Sequence, residues 1–351
     1  MFQDITVDEL LELHRKGNIA LIDVRSPSEF GDSTIPGSLN IPIFNDEERA
    51  EIGTLYKQVS VEAAKDKGLE IVSAKLPSFV KAIEAAGPGR KAVFCWRGGM
   101  RSRTSATLAS LMGLRMYRLN GGYRAYRKWV VETIERLTEL PHCYVINGYT
   151  GSGKTDLLDK LAERGYPVIN LERMAQHRGS IFGQIGLEPN NQKTFDSLLV
   201  QELIRCSESP YLILEAESRR IGKVVVPEPV IAAKEKGTSL FIEMPVQERA
   251  RNIVREYKPE EHKQACLDSF ERIEKRIHTP VAAAIRTALQ EGRFEEAVEL
   301  MLVHYYDPRY QFASDRYGLG HVTIQHDADH DVLEQVIAQL PPPVFPAQIS
   351  V

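Results

Sequence analysis

A chain of 351 residues is longer than one hydrophobic core usually supports, so two domains are expected. Its formal net charge of −4 does not indicate a nucleic-acid-binding protein. The four cysteines form no CxxC pair and have no histidines at metal-ligand spacing, which argues against a disulfide framework and a zinc site. No stretch approaches the roughly 20 apolar residues that span a bilayer, and the N-terminus is acidic and amphipathic rather than signal-like. A soluble protein of the reducing cytoplasm, without membrane association, is therefore expected.

Apolar runs alternate with helical patterns in the first half of the chain, which predicts an α/β fold with largely parallel sheets. The predicted strands of this half cover residues 18–25, 91–96 and 115–122, and the predicted helices cover 60–87 and 102–114. A further helix is predicted from residue 123 to about 140, where Pro141 follows. We therefore predict a first α/β domain over 1–130 and a helical connector over 131–141.

The second half begins with a strand, a glycine-rich turn and a helix in direct succession over residues 142–165. Further strands are predicted at 166–170, 211–218 and 238–245, and the pattern is mostly helical from Gln247 onward. This order predicts a second parallel-sheet α/β domain over 142–340, with a helical C-terminal region. The final residues 341–351 are rich in proline and are expected to be a loosely ordered tail.

Cys95 lies at the end of a predicted strand, in the sequence CWRGGMRS. A loop at a helix N-terminus points successive backbone N–H groups at one place, and the helix dipole adds partial positive charge there. With Arg97 and Arg101 close by, this setting favours a thiolate and an anion beside it. Gly98 and Gly99 allow the backbone to turn tightly. Cys95 is therefore predicted to be a reactive nucleophile with Arg97 and Arg101 as its anion-binding partners, whereas the other three cysteines are predicted to be core residues.

The chain between Cys95 and Val131 is rich in basic residues and contains no Asp or Glu. Its basic residues are Arg97, Arg101, Arg103, Arg115, Arg118, Arg124, Arg127 and Lys128. Such a run is often an ordinary solvated surface. Its position next to Cys95 and its interleaved aromatic residues favour an anionic, polynucleotide partner. Arg103, Arg124 and Arg127 are the candidate contacts.

The stretch GYTGSGKT fits the phosphate-binding pattern G-x-x-x-x-G-K-[ST], between an apolar strand and a helix. In such a P-loop the backbone N–H groups surround a diphosphate and the lysine reaches its outer oxygens. The predicted diphosphate-binding residues are Gly148, Gly151, Ser152, Gly153, Lys154 and Thr155. The Thr155 hydroxyl is also the candidate ligand for Mg²⁺, and no tightly bound cofactor is expected. The second domain is thus predicted to be P-loop NTPase-like, and the lack of an N-K-x-D motif argues against a GTPase.

The strand predicted at 211–218 carries Glu215 and Glu217, where many P-loop proteins have an aspartate that orients Mg²⁺. Either glutamate is a candidate metal partner or general base. The alternative is a structural salt bridge to Arg219 or Arg220, because ion-pair networks also gather charges. The sequence leaves both interpretations open.

Several further residues are candidates for contacts with a nucleic-acid backbone or a substrate phosphate. They are Arg173, His177, Arg178, Glu215, Arg219, Arg220 and Lys223. Ordinary surface charge is the alternative for the arginines, and a structural role is the alternative for His177. Tyr305, Tyr306 and Tyr310 could stack on an unpaired base, but aromatic residues near a helix end are more often core.

A resemblance to rhodanese domains over essentially the first 130 residues is carried by LIDVRSPSEFGDSTIPGSLNIP, VFCWRGGMRS and YRLNGGYRAYRKWV. The resemblance implies a cysteine, here Cys95, that carries sulfur as a persulfide. It also implies structural roles for Asp23, Arg25, Glu29 and Asn40. The chain departs from small sulfurtransferases in its C-x5-R spacing, which resembles the longer loop of dual-specificity phosphatases and suits a tetrahedral, phosphate-like anion.

The order of motifs along nearly the full chain resembles the tRNA 2-selenouridine synthase family. The motifs are CWRGGMRS, GYTGSGKT, ERMAQHRGSIFG, LEAESRRIG, EMPVQERARNIVREY and HYYDPRY. The resemblance implies a transferase that converts a wobble 2-thiouridine of tRNA into 2-selenouridine. It implies S-alkylation by geranyl diphosphate, followed by exchange of the alkylated sulfur for selenium from selenophosphate. The implied partners are tRNA and an enzyme that supplies selenophosphate.

We accordingly expect the P-loop with Lys154 to hold the diphosphate of geranyl diphosphate. We expect Cys95 to handle selenium through a selenenylsulfide-type intermediate, with Arg97 and Arg101 binding the phosphate of the donor. Two alternatives stay open. One is a cysteine phosphatase or sulfurtransferase fused to an ATP-dependent small-molecule kinase, and the other is a non-enzymatic tRNA-binding or regulatory protein.

Overall fold

The computed structural model describes residues 1–87, 89–309, 321–326 and 331–346. These residues divide into two compact units. The first contains Met1–Arg136 and Asp196–Leu198, and the second contains the rest of the described chain from Leu137. The first unit thus extends beyond the predicted limit at residue 130. The helix predicted as a connector belongs to the first unit, because its residues Tyr123, Tyr126 and Val130 are buried there.

A five-stranded parallel sheet forms the centre of the first unit, in the order β1-β5-β4-β2-β3. Its strands are β1 (Gln3–Ile5), β2 (Ile19–Asp23), β3 (Leu39–Asn40), β4 (Arg90–Phe94) and β5 (Met116–Leu119). Its helices are α1 (Val7–Arg15), α2 (Pro27–Asp32), α3 (Asp46–Gln58), α4 (Val61–Ala85), α5 (Met100–Leu111) and α6 (Gly122–Glu135). Strand β4 is central, and its last three residues are fully buried. The predicted parallel α/β architecture is confirmed.

A buried ion pair joins the loops that follow β2. The Arg25 guanidinium is 1% exposed, donates to both carboxylate oxygens of Asp23 and to the Ser33 carbonyl, and lies 4.4 Å above the Tyr123 ring. The Asn40 side-chain amide donates to the backbone carbonyls of Asp23 and Arg25 at 3.0 Å. A buried charge pair stabilises the fold only when its remaining polar groups are also hydrogen-bonded. These bonds therefore explain why Asn40 accompanies the Asp23–Arg25 pair. The predicted structural roles of Asp23, Arg25 and Asn40 are confirmed.

A second five-stranded parallel sheet, in the order β12-β11-β6-β8-β7, forms the centre of the second unit. Its strands are β6 (His142–Gly148), β7 (Val168–Ile169), β8 (Tyr211–Glu215), β11 (Thr238–Glu243) and β12 (His321–Gln325). A separate two-stranded antiparallel ribbon consists of β9 (Arg220–Ile221) and β10 (Val224–Val225). The helices are α7 (Lys154–Glu163), α8 (Leu171–Ala175), α9 (Gln192–Arg205), α10 (Glu228–Lys236), α11 (Val246–Tyr257), α12 (Lys263–Glu274), α13 (Thr279–Glu291), α14 (Phe294–Met301) and α15 (Val332–Ile337), with a π-helical segment at Leu302–Tyr306. Helices α11 to α14 and the π-helical segment pack around their own apolar core. No helix in the described part of the chain is long and apolar enough to cross a membrane.

The region after Gln247 is mostly helical, as predicted, and it also supplies the unpredicted strand β12, which pairs in parallel with β11 at the edge of the sheet. The proline-rich end is anchored rather than loose over its described residues. The Tyr211 hydroxyl bonds the carbonyls of Pro341 and Pro342, and the N–H of Phe345 donates to the Gly165 carbonyl at 2.9 Å. Residues 347–351 of the predicted tail lie outside the described residues.

Each sheet places one of the two predicted motifs at its functional edge. The Cys95 loop follows central strand β4, and the P-loop follows central strand β6. Ligands of parallel α/β sheets bind beyond the carboxyl ends of the strands, where helix N-termini point. Both units therefore have the geometry of an anion-binding site at the loop that the sequence singled out.

Candidate active site

Cys95 lies in the turn between β4 and α5. Its side chain is 3% exposed, and its Sγ lies 3.2 Å from the Ser102 hydroxyl in the first turn of α5. The backbone of the loop is tied to α6, since the N–H groups of Tyr123 and Arg124 donate to the carbonyls of Cys95 and Trp96 at 2.9 Å. The Ser102 hydroxyl also donates to the Gly99 carbonyl at 3.3 Å, and the sulfur lies at the N-terminus of α5, where the helix dipole favours a bound anion.

Glycines allow the Cys95 loop and the start of α6 to interlock. A Cβ on Gly122, whose φ is +61°, would lie 2.1 Å from the Cys95 carbonyl oxygen and 2.4 Å from the Gly98 nitrogen. A Cβ on Gly98 would meet the Gly121 nitrogen and the Leu119 carbonyl oxygen at 2.9 Å. The partner atoms are backbone and cannot move aside. The NGG and RGG sequences are therefore two halves of one close contact.

Replacement of Gly122 by alanine is expected to destabilise the first unit by at least ~3 kcal/mol, because the clash adds to left-handed backbone strain. Gly113→Ala is the matched control, since φ is +87° there but no atom lies within 4 Å of the added Cβ. It should cost about 1 kcal/mol. Urea unfolding followed by tryptophan fluorescence checks this, because Trp96 and Trp129 are the only tryptophans and both lie in the first unit. Equal losses in the two variants would contradict the close contact.

Arg101 is engaged with Glu29 and is not directed at Cys95 alone. Its two terminal nitrogens lie 2.5 and 3.1 Å from the Glu29 carboxylate oxygens. Burial opposes ionisation of Glu29, but the bonds and charge of Arg101 prevail and keep the pKa of the carboxyl below its usual value. The sequence predicted a purely structural Glu29 and an anion-binding Arg101. The structure joins them in one bidentate pair at the start of α5, so Glu29 orients the arginine of the loop.

The other basic residues of this region divide into paired and exposed groups. Arg118 donates to both Asp4 carboxylate oxygens and to the Gly98 carbonyl, and Arg127 pairs with Asp196 at 2.6 Å. Arg127 therefore does not present a free charge for tRNA, contrary to the prediction. Arg97, Arg103 and Arg124 are exposed, and no ion pair involves them within the described chain. Arg103 and Arg124 stay predicted tRNA contacts, and Arg97 stays a predicted anion-binding partner of Cys95.

The P-loop runs from the end of β6 to the start of α7. Gly148, Gly151 and Gly153 have φ values of 148°, 84° and 76°, which only glycine adopts without strain. The Lys154 ammonium donates to the Gly148 carbonyl at 2.8 Å, so its charge lies over the loop. The Ser152 hydroxyl is buried and has no hydrogen-bond partner among the described residues. The loop thus offers backbone N–H groups, a lysine and an unsatisfied hydroxyl around one point.

Helix α11 supports the P-loop from the side, which the sequence analysis missed. The Asn252 amide donates to the Gly151 carbonyl at 3.0 Å, and Arg249 donates to the Thr150 carbonyl at 3.3 Å. Arg249 is 3% exposed and forms a bidentate pair with Asp307. The EMPVQERARNIVREY motif therefore acts by fixing the loop. No local pattern could show this, because the partners lie about a hundred residues apart in the sequence.

Three glutamates gather beside the P-loop. Glu172, which the sequence analysis missed, accepts a hydrogen bond from the Thr155 hydroxyl at 2.9 Å. Glu215 is 1% exposed and accepts from the Glu172 backbone N–H at 2.7 Å. A Cβ on Gly179 would lie within 3 Å of carboxylate oxygens of both Glu172 and Glu217, so these two carboxylates converge. The salt-bridge alternative was wrong for Arg219, which pairs with Glu228 instead.

Burial and mutual repulsion both disfavour charge in this cluster. Burial, then the charges of Glu217 and Glu215, raise the pKa of Glu172 well above its usual value. Burial is also the main cause that raises the pKa of Glu215 to about 8. The buried Lys234 ammonium donates to the Glu217 carbonyl, which places one positive charge nearby. Carboxyl groups with pKa values near neutrality can exchange protons with a substrate.

The raised pKa of Glu215 predicts a pH-dependent stability. Between an ordinary pKa of 4.5 and the folded value of about 8, the folded carboxyl keeps a proton that the unfolded chain has lost. The free energy of unfolding therefore falls as the pH rises from about 5 to about 8. Glu215→Gln should flatten this dependence when thermal unfolding is followed by circular dichroism, while tryptophan fluorescence from the first unit stays unchanged. An unaltered slope in the variant would contradict a buried neutral carboxyl.

A cavity of about 450 Å³ opens above the P-loop, in the size range of small-molecule sites. It is lined by Thr150–Asp156, Glu172, Arg178–Ile181, Glu217, Asn252, Ile253, Arg255–Tyr257, Tyr305, Tyr306 and Arg309. Arg178 pairs with Glu256 at 2.6 Å and lies 4.6 Å above the Tyr257 ring. Among the charged residues predicted to contact nucleic acid or substrate phosphate, Arg178 lines this cavity. Glu217 reaches it as well, whereas Glu215 supports it from below.

The remaining predicted contacts lie elsewhere. Arg173 pairs with Asp159 at 2.8 Å, and Arg219 and Arg220 are exposed away from the cavity lining, as is Lys223. The His177 ring is wedged between Gly183 and Gly222, and burial, with the Arg178 charge, lowers its pKa. These facts favour the structural interpretation of His177. Tyr305 is 4% exposed, the Arg309 guanidinium lies 3.6 Å above its ring, and Tyr306 packs against it, which favours a core role for Tyr305. Tyr310 lies outside the described residues.

Comparison with known proteins identifies the family. Residues 141–339 match the tRNA 2-selenouridine synthase AAA domain, and residues 6–128 match the Rhodanese-like domain. The chain is 36% identical to a tRNA 2-selenouridine synthase of Nitrosomonas europaea over 72% of this chain and 67% of that protein. It is 31% identical to one of Shewanella halifaxensis over 84% of this chain and 89% of that protein.

The chain belongs to the tRNA 2-selenouridine synthase family. The family resemblance drawn from the order of motifs is confirmed, as is the rhodanese-like nature of the N-terminal domain. Cys95 lies within the rhodanese-like match, and the P-loop, Glu172 and helix α11 lie within the tRNA 2-selenouridine synthase AAA match. Each candidate site therefore lies within one of the two matched domains.

Proposed function

We propose that this protein converts wobble 2-thiouridine of tRNA into 2-selenouridine through an S-geranyl intermediate. The observation that carries the proposal is the pair of anion-binding loops, one with a nucleophilic thiol and one with a lysine, each at the carboxyl end of a central strand. The names of the relatives support selenouridine formation on tRNA. Geranyl diphosphate and selenophosphate are both phosphate anions, so each has a matching loop.

The P-loop cavity suits the alkylation step. The sulfur on C2 of the uracil attacks C1 of geranyl diphosphate, the C1–O bond breaks, and diphosphate leaves with the electron pair. Lys154 and the backbone N–H groups stabilise the charge that develops on the departing oxygen. The proton on N3 is lost in this step. Glu172 and Glu217 line the cavity, and a carboxylate of either residue can accept this proton.

The Cys95 loop suits the selenium step, but electron balance changes the expected role of the thiol. A selenenylsulfide would hold selenium two electrons more oxidised than in selenophosphate, and neither substrate supplies an oxidant. Instead, the Cys95 thiolate attacks phosphorus, an S–P bond forms, and the P–Se bond breaks with release of hydrogen selenide anion. Ser102 lies 3.2 Å from the sulfur, and Arg101, which Glu29 orients, holds the phosphate oxygens together with Arg97.

The released selenide then attacks C2 of the S-geranylated uracil. The C2–S bond breaks, geranyl thiolate leaves, and the selenide proton ends on N3. Water hydrolyses the S–P bond, which yields inorganic phosphate and restores Cys95. No net oxidation occurs in this sequence. It also gives a reason for the C-x5-R spacing, since a loop of that length surrounds a tetrahedral phosphoryl group.

The residues beside Thr155 fit Mg²⁺, which would neutralise diphosphate charge when bound. The Thr155 hydroxyl and Glu172 supply hard oxygen donors, and the cluster repulsion that raises the pKa of Glu172 is what a cation would relieve. Within the described residues no group of three or more His, Cys, Asp or Glu is arranged to hold a metal by itself. The diphosphate would therefore have to complete such a site. Arg103 and Arg124 supply the tRNA phosphate contacts, and a selenophosphate-supplying enzyme is the required partner.

Nucleoside mass spectrometry tests the proposal. The wild-type protein is incubated with 2-thiouridine-containing tRNA, geranyl diphosphate and selenophosphate, and with each small molecule omitted in turn. We expect 2-selenouridine when geranyl diphosphate and selenophosphate are both present, and S-geranyl-2-thiouridine when selenophosphate is omitted. ATP consumption without any modified nucleoside would overturn the proposal in favour of a phosphatase or sulfurtransferase fused to a kinase.

A further inference from the structure

An apolar recess continues from the P-loop cavity into the helical core of the second unit. Five residues line both spaces: Thr150, Ser180, Ile253, Tyr257 and Tyr306. Beyond them the walls of the recess come from α11 to α14, from the π-helical segment, and from Phe182 and Pro259 in loops. The recess has a volume of about 50 Å³. It is therefore a side pocket at the apolar end of the phosphate cavity.

The chemistry of the walls restricts what can enter. The deep residues are Val254, Leu289, Phe294, Val298, Met301 and Leu302, and none of the described residues that line the recess is charged. A nucleobase or sugar would lose its hydrogen bonds to water there without replacement, which costs several kcal/mol. A hydrocarbon group would gain from burial. The recess therefore suits the hydrocarbon end of a group that is attached to the diphosphate.

We infer that this recess receives the distal end of the prenyl chain and that its walls set the longest chain the protein accepts. The inference rests on the proposed alkylation by a prenyl diphosphate. The diphosphate lies at Lys154, the chain passes Ile253 and Tyr257, and its last carbons enter the recess. A volume of about 50 Å³ is too small for a ten-carbon chain. The recess therefore accommodates only the last carbons of the chain, and the main cavity holds the rest.

The π-helical segment explains how the helical region forms this junction. A π-turn widens one turn of a helix and places successive side chains differently from an α-helix, and such segments occur often at functional sites. Here Tyr305 is buried in the helical core, and Tyr306 lines both the cavity and the recess. Their rings lie 5.1 Å apart at 85°. The widened turn therefore places an aromatic wall where the two spaces meet.

A second apolar cavity is the alternative site for the prenyl chain. A groove of about 510 Å³ in the first unit is lined mainly by apolar residues of α3, α4 and α5, among them Tyr56, Leu69 and Val72. It is large enough for a prenyl chain, but no P-loop residue lines it. The recess shares five wall residues with the P-loop cavity. Continuity with the diphosphate site therefore favours the recess.

Chain-length preference tests the inference in the full-length protein. Dimethylallyl, geranyl and farnesyl diphosphates are supplied with 2-thiouridine tRNA, and each S-alkylated nucleoside is measured. Phe294→Ala deepens the recess and is expected to raise farnesyl relative to geranyl transfer by at least ~10-fold. Val298→Phe fills it and is expected to lower geranyl transfer by ~10-fold or more, with dimethylallyl transfer retained. Leu69→Ala in the groove of the first unit is the matched control and should leave the ratios unchanged.

Competition by inorganic diphosphate shows whether each variant keeps an intact P-loop. Phe294 is only partly buried, so its alanine variant is expected to fold. Unchanged chain-length ratios in both recess variants, with diphosphate binding intact, would overturn the inference and leave the proposed function standing. A changed ratio in Leu69→Ala would also overturn it, because the chain would then lie in the groove. Failure of the wild type to transfer any chain would overturn the proposed function itself.

Discussion

A Cys95→Ala variant is expected to accumulate S-geranyl-2-thiouridine and to form 2-selenouridine at least ~10³-fold more slowly than the wild type. The substitution removes the nucleophile of the Cys95 loop. It leaves unchanged the P-loop and helix α11, which holds the P-loop in place. The side chain is small and already buried, so the fold should survive its loss. Mass spectrometry of the tRNA nucleosides over time checks both the loss and the accumulation.

Cys206→Ala is the matched control for this result. Cys206 is also buried, and burial raises the pKa of its thiol to about 11, so it stays protonated and inert at neutral pH. Its replacement should leave both steps at wild-type rates. Loss of geranylation in Cys95→Ala, with the fold and tRNA binding intact, would contradict the division of the two steps between the two loops.

A Lys154→Ala variant is expected to leave 2-thiouridine unmodified, with the alkylation rate lowered by about 10²–10³-fold. The lysine supplies the positive charge over the loop in which the departing diphosphate would lie. Its loss also weakens binding of inorganic diphosphate, which calorimetry can measure independently of tRNA. Lys160→Ala, an exposed lysine of the same helix outside the cavity, is the control and should behave like the wild type. Normal alkylation by Lys154→Ala would exclude the P-loop as the diphosphate site.

The sequence predicted the parts of both sites that are encoded locally. A P-loop and a cysteine loop each consist of consecutive residues between a strand and a helix, so their pattern carries their geometry. Gly148 to Thr155 and Cys95 with its glycines therefore lie where they were expected. The NGG sequence was recognised only by resemblance, and the structure supplies its reason in the contact between Gly122 and the Cys95 carbonyl.

Residues that act across long sequence separations could not be predicted. Glu172 looks like an ordinary helix residue until the sheet brings it to Thr155, and Asn252 reaches Gly151 from a helix a hundred residues away. The Arg101–Glu29 pair spans 72 residues, so the arginine was assigned to an anion without its partner. Strand β12 was missed because its five residues are stabilised by pairing with β11 and not by a strong pattern of their own.

The most direct measurement supplies the Lys154→Ala protein with tRNA that already carries S-geranyl-2-thiouridine, together with selenophosphate and no geranyl diphosphate. If each loop serves one step, this variant forms 2-selenouridine at the wild-type rate, whereas Cys95→Ala forms it at least ~10³-fold more slowly. The same failure in both variants would contradict the two-loop assignment, because the P-loop would then be needed for selenium insertion as well.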